Sequence, residues 1–193
     1  LRVGGVDEEH ARADDVVVGR PELSEGDALM KERLVMLGYN VEILEDDDST
    51  PDKADGKNLI VISSSVAPTR VKKAFTDVAV PVIVMEYQLF DDMNMAAGKV
   101  NSEYGREDVA ALSITNSDHP MAAQLSGSPT VYLQDANALW AKPAAGATSI
   151  ATLENDAERI ALFIFEANTE MIDGTAPAPR VGLFIQDSSV DYL

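Results

Sequence analysis

The 193-residue chain contains no cysteine. That excludes disulfides, thiolate metal sites and a cysteine nucleophile, while leaving the redox compartment undetermined. Positive charge is scarce: 15 Lys and Arg stand against 33 Asp and Glu, a formal charge of −18. Nucleic acid and anionic membranes are bound by neutralising phosphates with cations, so no nucleic-acid or membrane partner is expected. The two histidines, His10 and His119, lie far apart in the chain. A transition-metal site therefore lacks support, and neither metal nor cofactor is expected. Long apolar runs are missing too; stretches such as 59–62 and 160–165 fall far below the roughly 20 residues that span a bilayer as a helix. The chain starts at Leu1, with no basic start followed by an apolar signal segment, and is expected to be part of a longer polypeptide.

What is present is a 46% hydrophobic composition, enough for one substantial core, so residues 1–193 are read as a single domain. Acidic side chains outnumber basic ones along the whole chain rather than in one tail. That reads as a solvated surface, and a soluble protein from a salt-rich habitat is the expectation.

Val16, Val17 and Val18, closed by Gly19, Arg20 and Pro21, predict a short buried strand. Ser24 with Asp27 resembles a capping box; Met30, Leu34 and Leu37 then follow helical spacing up to Gly38. Val41, Ile43 and Leu44 form the next strand, followed by an acidic turn at 45–48. Residues 59–62 and 82–85 are apolar on both faces, the pattern of central parallel strands, and a helix is expected over 69–75 between them. Residues 88–107 show no clean periodicity and read as a long covering loop. Strands are predicted over 109–114, 130–133, 148–153, 159–165 and 180–185, and a short helix from Pro120 to Leu125 is capped by Asp118 or His119. Asn155 and Asp156 suggest an antiparallel hairpin. The alternation of strands and helices predicts an α/β fold with a mostly parallel, doubly wound sheet.

Several stretches, taken in order, carry a resemblance: the early strand with its 21–23 turn and the 34–41 segment, the serine-ended strand, "PVIVMEY", "SDHPMAAQLSG" and "PRVGLF". Together, over residues 15–187, they resemble the ThuA-like branch of the class I glutamine amidotransferase-like superfamily. The resemblance implies a flavodoxin-like three-layer sandwich with an antiparallel hairpin extension. In catalytic members, the turn after the strand matching 82–85 presents a cysteine nucleophile; here it carries Glu86 and Tyr87. A carboxylate cannot replace a thiolate in that reaction, so glutaminase activity is excluded. ThuA-like proteins are associated with sugar metabolism, which implies a small carbohydrate-like ligand.

The candidate site residues lie where parallel strands open a crevice. Glu86 is a candidate acid or base, or a capping carboxylate. Ser63 and Ser64 offer hydroxyls to a ligand or to turn amides, and Tyr87 stands beside Glu86. His119, with Asp118 to fix its tautomer, suits proton transfer, and serves equally as a helix cap. The run Asp46, Asp47, Asp48, Asp52, Asp55 and Gly56 lacks EF-hand spacing and reads as a solvated acidic turn. Trp140 after Leu139 reads as core rather than a sugar-stacking platform. Three functions are consistent with this. The first is a non-catalytic domain for binding or assembly, joined to other domains of its parent chain. The second is a hydrolase or isomerase of a sugar-like substrate using Glu86 and His119. The third is a homo-oligomerisation module using an exposed hairpin edge around 148–165.

Overall fold

A computed structural model describes residues 15–20, 22–154 and 156–193. Pro21, expected to close the first strand, and Asn155, expected in the hairpin turn, lie outside the described residues, as does His10. In chain order the elements are β1 (Asp15–Gly19), α1 (Glu25–Met36), β2 (Val41–Glu45), β3 (Ile60–Ile62), α2 (Pro68–Val71), β4 (Val82–Val84), β5 (Tyr104–Val109), β6 (Leu112–Ile114), β7 (Ala136–Ala141), β8 (Thr148–Leu153), β9 (Asp156–Phe165) and β10 (Arg180–Gly182). The sheet runs β2-β1-β3-β4-β10-β9-β7-β5, with β8 also pairing β9 and β6 pairing β8.

The first five strands of that order are parallel, and every pairing beyond β10 is antiparallel. The sheet is therefore mixed, which corrects the mostly parallel expectation. The difference comes from β5 and β7, which the sequence conceals. β5 (YGREDV) is charged and mostly exposed. β7 (ANALWA) is buried but rich in alanine, a poor strand former whose place is set by packing rather than propensity. The expected antiparallel hairpin is present as β8 and β9.

Other boundaries differ for local reasons. The helix expected over 69–75 stops after α2, where Lys72 turns to φ 47. The strand expected over 109–114 breaks into the end of β5 and β6, and 130–133 contributes only an isolated bridge from Thr130 to Ala111. β10 ends at Gly182 rather than 185, although the Leu183 amide still donates to the Val84 carbonyl at 3.1 Å. Gly182 is required: a Cβ there would lie 2.2 Å from the Phe163 ring. The 148–165 hairpin offers less edge than expected, because β9 is flanked by β10, β7 and β8, and β8 is covered by β6.

One sheet face meets α1: Met30 and Leu34 rest against Val61 and Met85 beside Val41, Ile43 and Leu183. Leu37, expected on that stripe, is instead exposed. The opposite face, with Ile60, Ile62, Val82 and Val84, is covered by Val71 and Phe75 and by Leu89, Phe90 and Met93 from the loop after β4. A third cluster gathers under the antiparallel strands, with Trp140 3% exposed inside it and the Arg159 guanidinium 4.5 Å from its ring centroid. Trp140 is thus core.

Two polar anchors hold the covering segments. Arg180 is fully buried, and its guanidinium donates to the carbonyls of Val78 (2.6 Å), Val80 (2.9 Å) and Thr76 (3.0 Å), among others. Asp46 is buried rather than solvated, correcting that part of the acidic-turn reading. It accepts from the Ala67 amide (2.8 Å) and from Arg70 (3.0 Å), tying the start of α2 to the end of β2.

Candidate functional site

β3, β4 and β10 are parallel neighbours in register, Ile62 opposite Val84 and Val84 opposite Gly182. The residues that follow them therefore emerge at one end of the sheet, where open α/β sheets bind ligands. β3 leads into Ser63, Ser64 and Ser65, β4 into Glu86 and Tyr87, and β10 into Gln186 and Asp187.

Glu86 is 5% exposed and caps the 3-10 turn Tyr87–Leu89, accepting from the Gln88 amide at 2.9 Å. Burial pushes its carboxyl up to about 7; the Gln88 N–H and the Arg106 charge oppose that rise, and the charge of Asp187 adds to it. Tyr87 is half-buried, its ring 6.4 Å from that of Tyr104.

The serines are engaged by two carboxylates. The Ser63 hydroxyl donates to Asp27, and the Ser65 hydroxyl donates to the other Asp27 oxygen at 2.6 Å. The Ser63 oxygen also accepts from the Ser65 amide at 3.1 Å. The Ser64 hydroxyl donates to the Asp187 carboxylate (2.8 Å) and accepts from its amide (2.7 Å). Asp27 lies in the first turn of α1, whose N-cap Ser24 accepts from the Asp27 amide at 3.1 Å. Half of the expected capping box is thus present, while the Asp27 carboxylate turns to the β3 serines. Gly26 permits this docking, since a Cβ there would lie 2.0 Å from the Asp187 carbonyl oxygen.

His119 caps the 3-10 turn Pro120–Ala122, its Nδ1 accepting from the Met121 amide at 3.2 Å; Asp118 is exposed. That turn packs on β8, which β9 and β10 separate from β4. At about 4.8 Å per strand, this is on the order of 14 Å across the sheet. No hydrogen bond or ion pair joins Glu86 to His119 among the described residues.

Beside the crevice lies an open cavity of about 440 Å³. Its walls include Thr69, Lys72, Gln88, Asp91, Asp92 and Tyr104. Partial burial, with the neighbouring Asp91, raises the Asp92 carboxyl, while Lys73 and Lys72 hold it back. Tyr104 is pushed up to about 12, chiefly by burial, and stays a hydrogen-bond donor. Lys72 keeps its positive φ in this wall, a strained conformation for a residue with a Cβ. Among the described residues no group of three or more His, Asp or Glu is arranged to hold a metal ion.

Sequence reasoning missed Asp27, Arg106 and Asp187. Asp187 carried a usable signal, following a strand parallel to β4. Asp27 looked like a capping residue, and Arg106 lay in a stretch read as loop.

No protein-family model matches the chain, and no curated protein matches it. Solved structures do. The fold is similar to that of a GMP synthase component from Thermoplasma acidophilum (17% identity, TM-score 0.56, covering 89% of this chain and 83% of that one). It is also similar to a glutamine amidotransferase from Thermotoga maritima (12%, 0.54, 90% and 75%) and to a ThuA-like protein from Bacteroides uniformis (10%, 0.53, 96% and 88%). At these identities the likeness shows the fold alone: an α/β mixed-sheet domain folded like these glutamine amidotransferase and ThuA-like structures. The cysteine of a glutaminase is absent from the chain. No described helix is long and apolar enough to cross a membrane.

Proposed function

We propose that this chain is a non-catalytic amidotransferase-like domain that binds a small, hydroxyl-bearing, carbohydrate-like ligand at the carboxyl ends of β3 and β4. The observation that carries this reading is Glu86: a buried carboxyl that caps its own turn at the end of β4, the turn that the sequence resemblance matches to the one presenting a thiolate in catalytic amidotransferases. Ser63 and Ser64 shape the floor through Asp27 and Asp187, and Tyr87 with Tyr104 forms the wall toward the adjoining cavity. That cavity offers acceptors at Asp91 and Asp92 and donors at Lys72, Gln88 and Tyr104, a mixed set that suits vicinal hydroxyls. Titration calorimetry against a panel of sugars and polyols tests it. A ligand whose affinity falls tenfold or more in Asp91→Asn and Glu86→Gln supports the site, and affinity unchanged in both removes it.

A second reading, a hydrolase or isomerase of a sugar-like substrate, is favoured by the burial of Glu86 at the crevice, which pushes its carboxyl up to about 7, toward the range an acid or base needs. Its expected partner His119 accepts the Met121 amide as a cap, and Asp187 is the carboxylate whose charge acts on Glu86. A bell-shaped pH profile lost in Glu86→Gln but retained in His119→Ala would mark it.

A further inference from the structure

The strand order β2-β1-β3-β4-β10 places a second crevice beside the one at β3 and β4. The chain leaves β1 through α1 toward β2, whereas β3 pairs with the other side of β1, all three being parallel. The connections diverge between β1 and β3, and at such a switch point the carboxyl ends of the strands open a hollow in which parallel sheets bind ligands. In this chain the hollow is filled from within. Val18 stands opposite Ile62, so Gly19 and Ser63 leave their strands side by side. The fully buried Asp27 carboxylate reaches both. One of its oxygens accepts from the Ser63 hydroxyl and the other, Oδ2, from the Ser65 hydroxyl at 2.6 Å. Gly19 borders it closely, since a Cβ there would lie 3.4 Å from Oδ2. Arg20, the next residue, donates to the Ser65 carbonyl at 2.7 Å and holds a positive charge beside the serines.

A hydroxyl donor on each oxygen of one carboxylate, with a glycine alongside, is a cradle for a carboxylate, and α1 supplies the occupant. Asp27 is one of only two buried residues among the twelve of α1, the other being Gly26. The inner face of the helix rests on the sheet through Met30 and Leu34, which are only partly buried. A helix held this way opens locally at lower cost than the strands beneath it. We propose that the crevice between β1 and β3 is a binding site for small carboxylate-bearing molecules, closed in this structure by Asp27 as a tethered internal ligand and opened when the first turn of α1 lifts. An outside carboxylate then takes over the Ser63 and Ser65 hydroxyls, so ligand and closed α1 exclude one another. The site does not use Glu86, and it stands or falls separately from a ligand at β3 and β4.

The test cuts the tether and supplies the missing atoms. Asp27→Ala removes the carboxylate and leaves a methyl group, so formate completes the side chain; Asp27→Gly leaves one carbon fewer, which acetate supplies. The full chain carrying either substitution is melted, with circular dichroism as the readout, in sodium formate, acetate or chloride. Concentrations of about 0.01 to 1 M suit the weak affinity of a small anion for a protein of charge −18. Formate should raise the midpoint of the Ala variant, and acetate that of the Gly variant, by several degrees and with saturation, beyond both chloride and the mismatched anion. A variant unfolded in chloride should regain its spectrum in the matching anion. Adding Ser63→Ala and Ser65→Ala should abolish the rescue, and Asp27→Asn, which still fills the cradle, should show none. In wild type, amide hydrogen exchange over residues 25–30 should quicken on the order of tenfold in about 1 M formate relative to chloride, because formate captures the lifted helix. Equal effects of the three salts on the Ala and Gly variants, rescue that survives loss of both serines, or wild-type exchange indifferent to formate would overturn the proposal.

Discussion

The Ser65 hydroxyl donates to the buried Asp27 carboxylate at 2.6 Å, joining the first turn of α1 to the residues that follow β3. Ser63 occupies the other Asp27 oxygen. One carboxylate thus sets both the position of α1 and the floor of the crevice. Asp27→Ala leaves two buried hydroxyls unpaired and is expected to cost about 2–4 kcal/mol. Asp27→Asn, which keeps one acceptor, should cost less. Urea unfolding with far-ultraviolet circular dichroism reads both, and equal stability of all three proteins would contradict the assignment.

Glu86 carries a pH signature whose sign follows from its environment. Burial raises its carboxyl from 4.5 in the unfolded chain to about 7 in the folded one. The folded state therefore holds the proton more tightly, and the associated stability is complete below pH 4.5 and lost as pH rises toward and through 7. The loss amounts to about 3 to 3.5 kcal/mol. Glu86→Gln keeps the cap acceptor and removes the charge, so it should melt above wild type at about pH 8 and close to it at about pH 4.5. A wild-type minus variant difference that is flat with pH would contradict this.

Arg180 is held by carbonyls rather than carboxylates, through its two terminal nitrogens, while its buried Nε has no partner among the described residues. Its guanidinium binds the 75–80 segment to β10, and burial lowers its pKa to about 10, against the favourable charge of Asp77. Arg180→Met would strand the carbonyls of Thr76, Val78 and Val80 in the core, at an expected cost of about 3–5 kcal/mol. Arg180→Lys, with fewer donors and no planar fork, should recover only part of that. Chemical denaturation midpoints are expected to fall in the order wild type, Lys, Met, and a Met variant as stable as wild type would remove Arg180 as an anchor.

The acid excess predicts a salt response of the fold. With −18 spread over the surface, raising KCl from about 0.1 to 2 M should raise the thermal midpoint by several degrees as repulsion is screened. A flat midpoint at a dilution where the protein is monomeric would contradict the reading of the charge as a salt adaptation.

The parallel half of the fold was legible because its strands are apolar on both faces. Ile60 to Ile62 and Val82 to Val84 are buried almost throughout, and a short run apolar on both faces fits a central strand covered on each side. The antiparallel half was only half legible. β8 and β9 carry β-branched and aromatic residues, whereas β7 is held by its neighbours despite its alanines and β5 is a charged ladder exposed on one side. The site followed the same division. Glu86 and the β3 serines could be placed because they end recognisable strands. Asp27 reaches the crevice from a helix start, and only three-dimensional register brings it to the β3 serines. His119 had two readings from sequence, and the geometry shows it accepting the Met121 amide as a cap.

Whether Glu86 serves binding or reaction is read most directly by mass spectrometry of a bound ligand. The tightest binder from the sugar and polyol panel is incubated at length with stoichiometric protein near neutral pH. The ligand should be recovered unchanged, with binding weakened tenfold or more in Glu86→Gln. Conversion of the ligand by wild type, abolished by that substitution, would contradict a non-catalytic role.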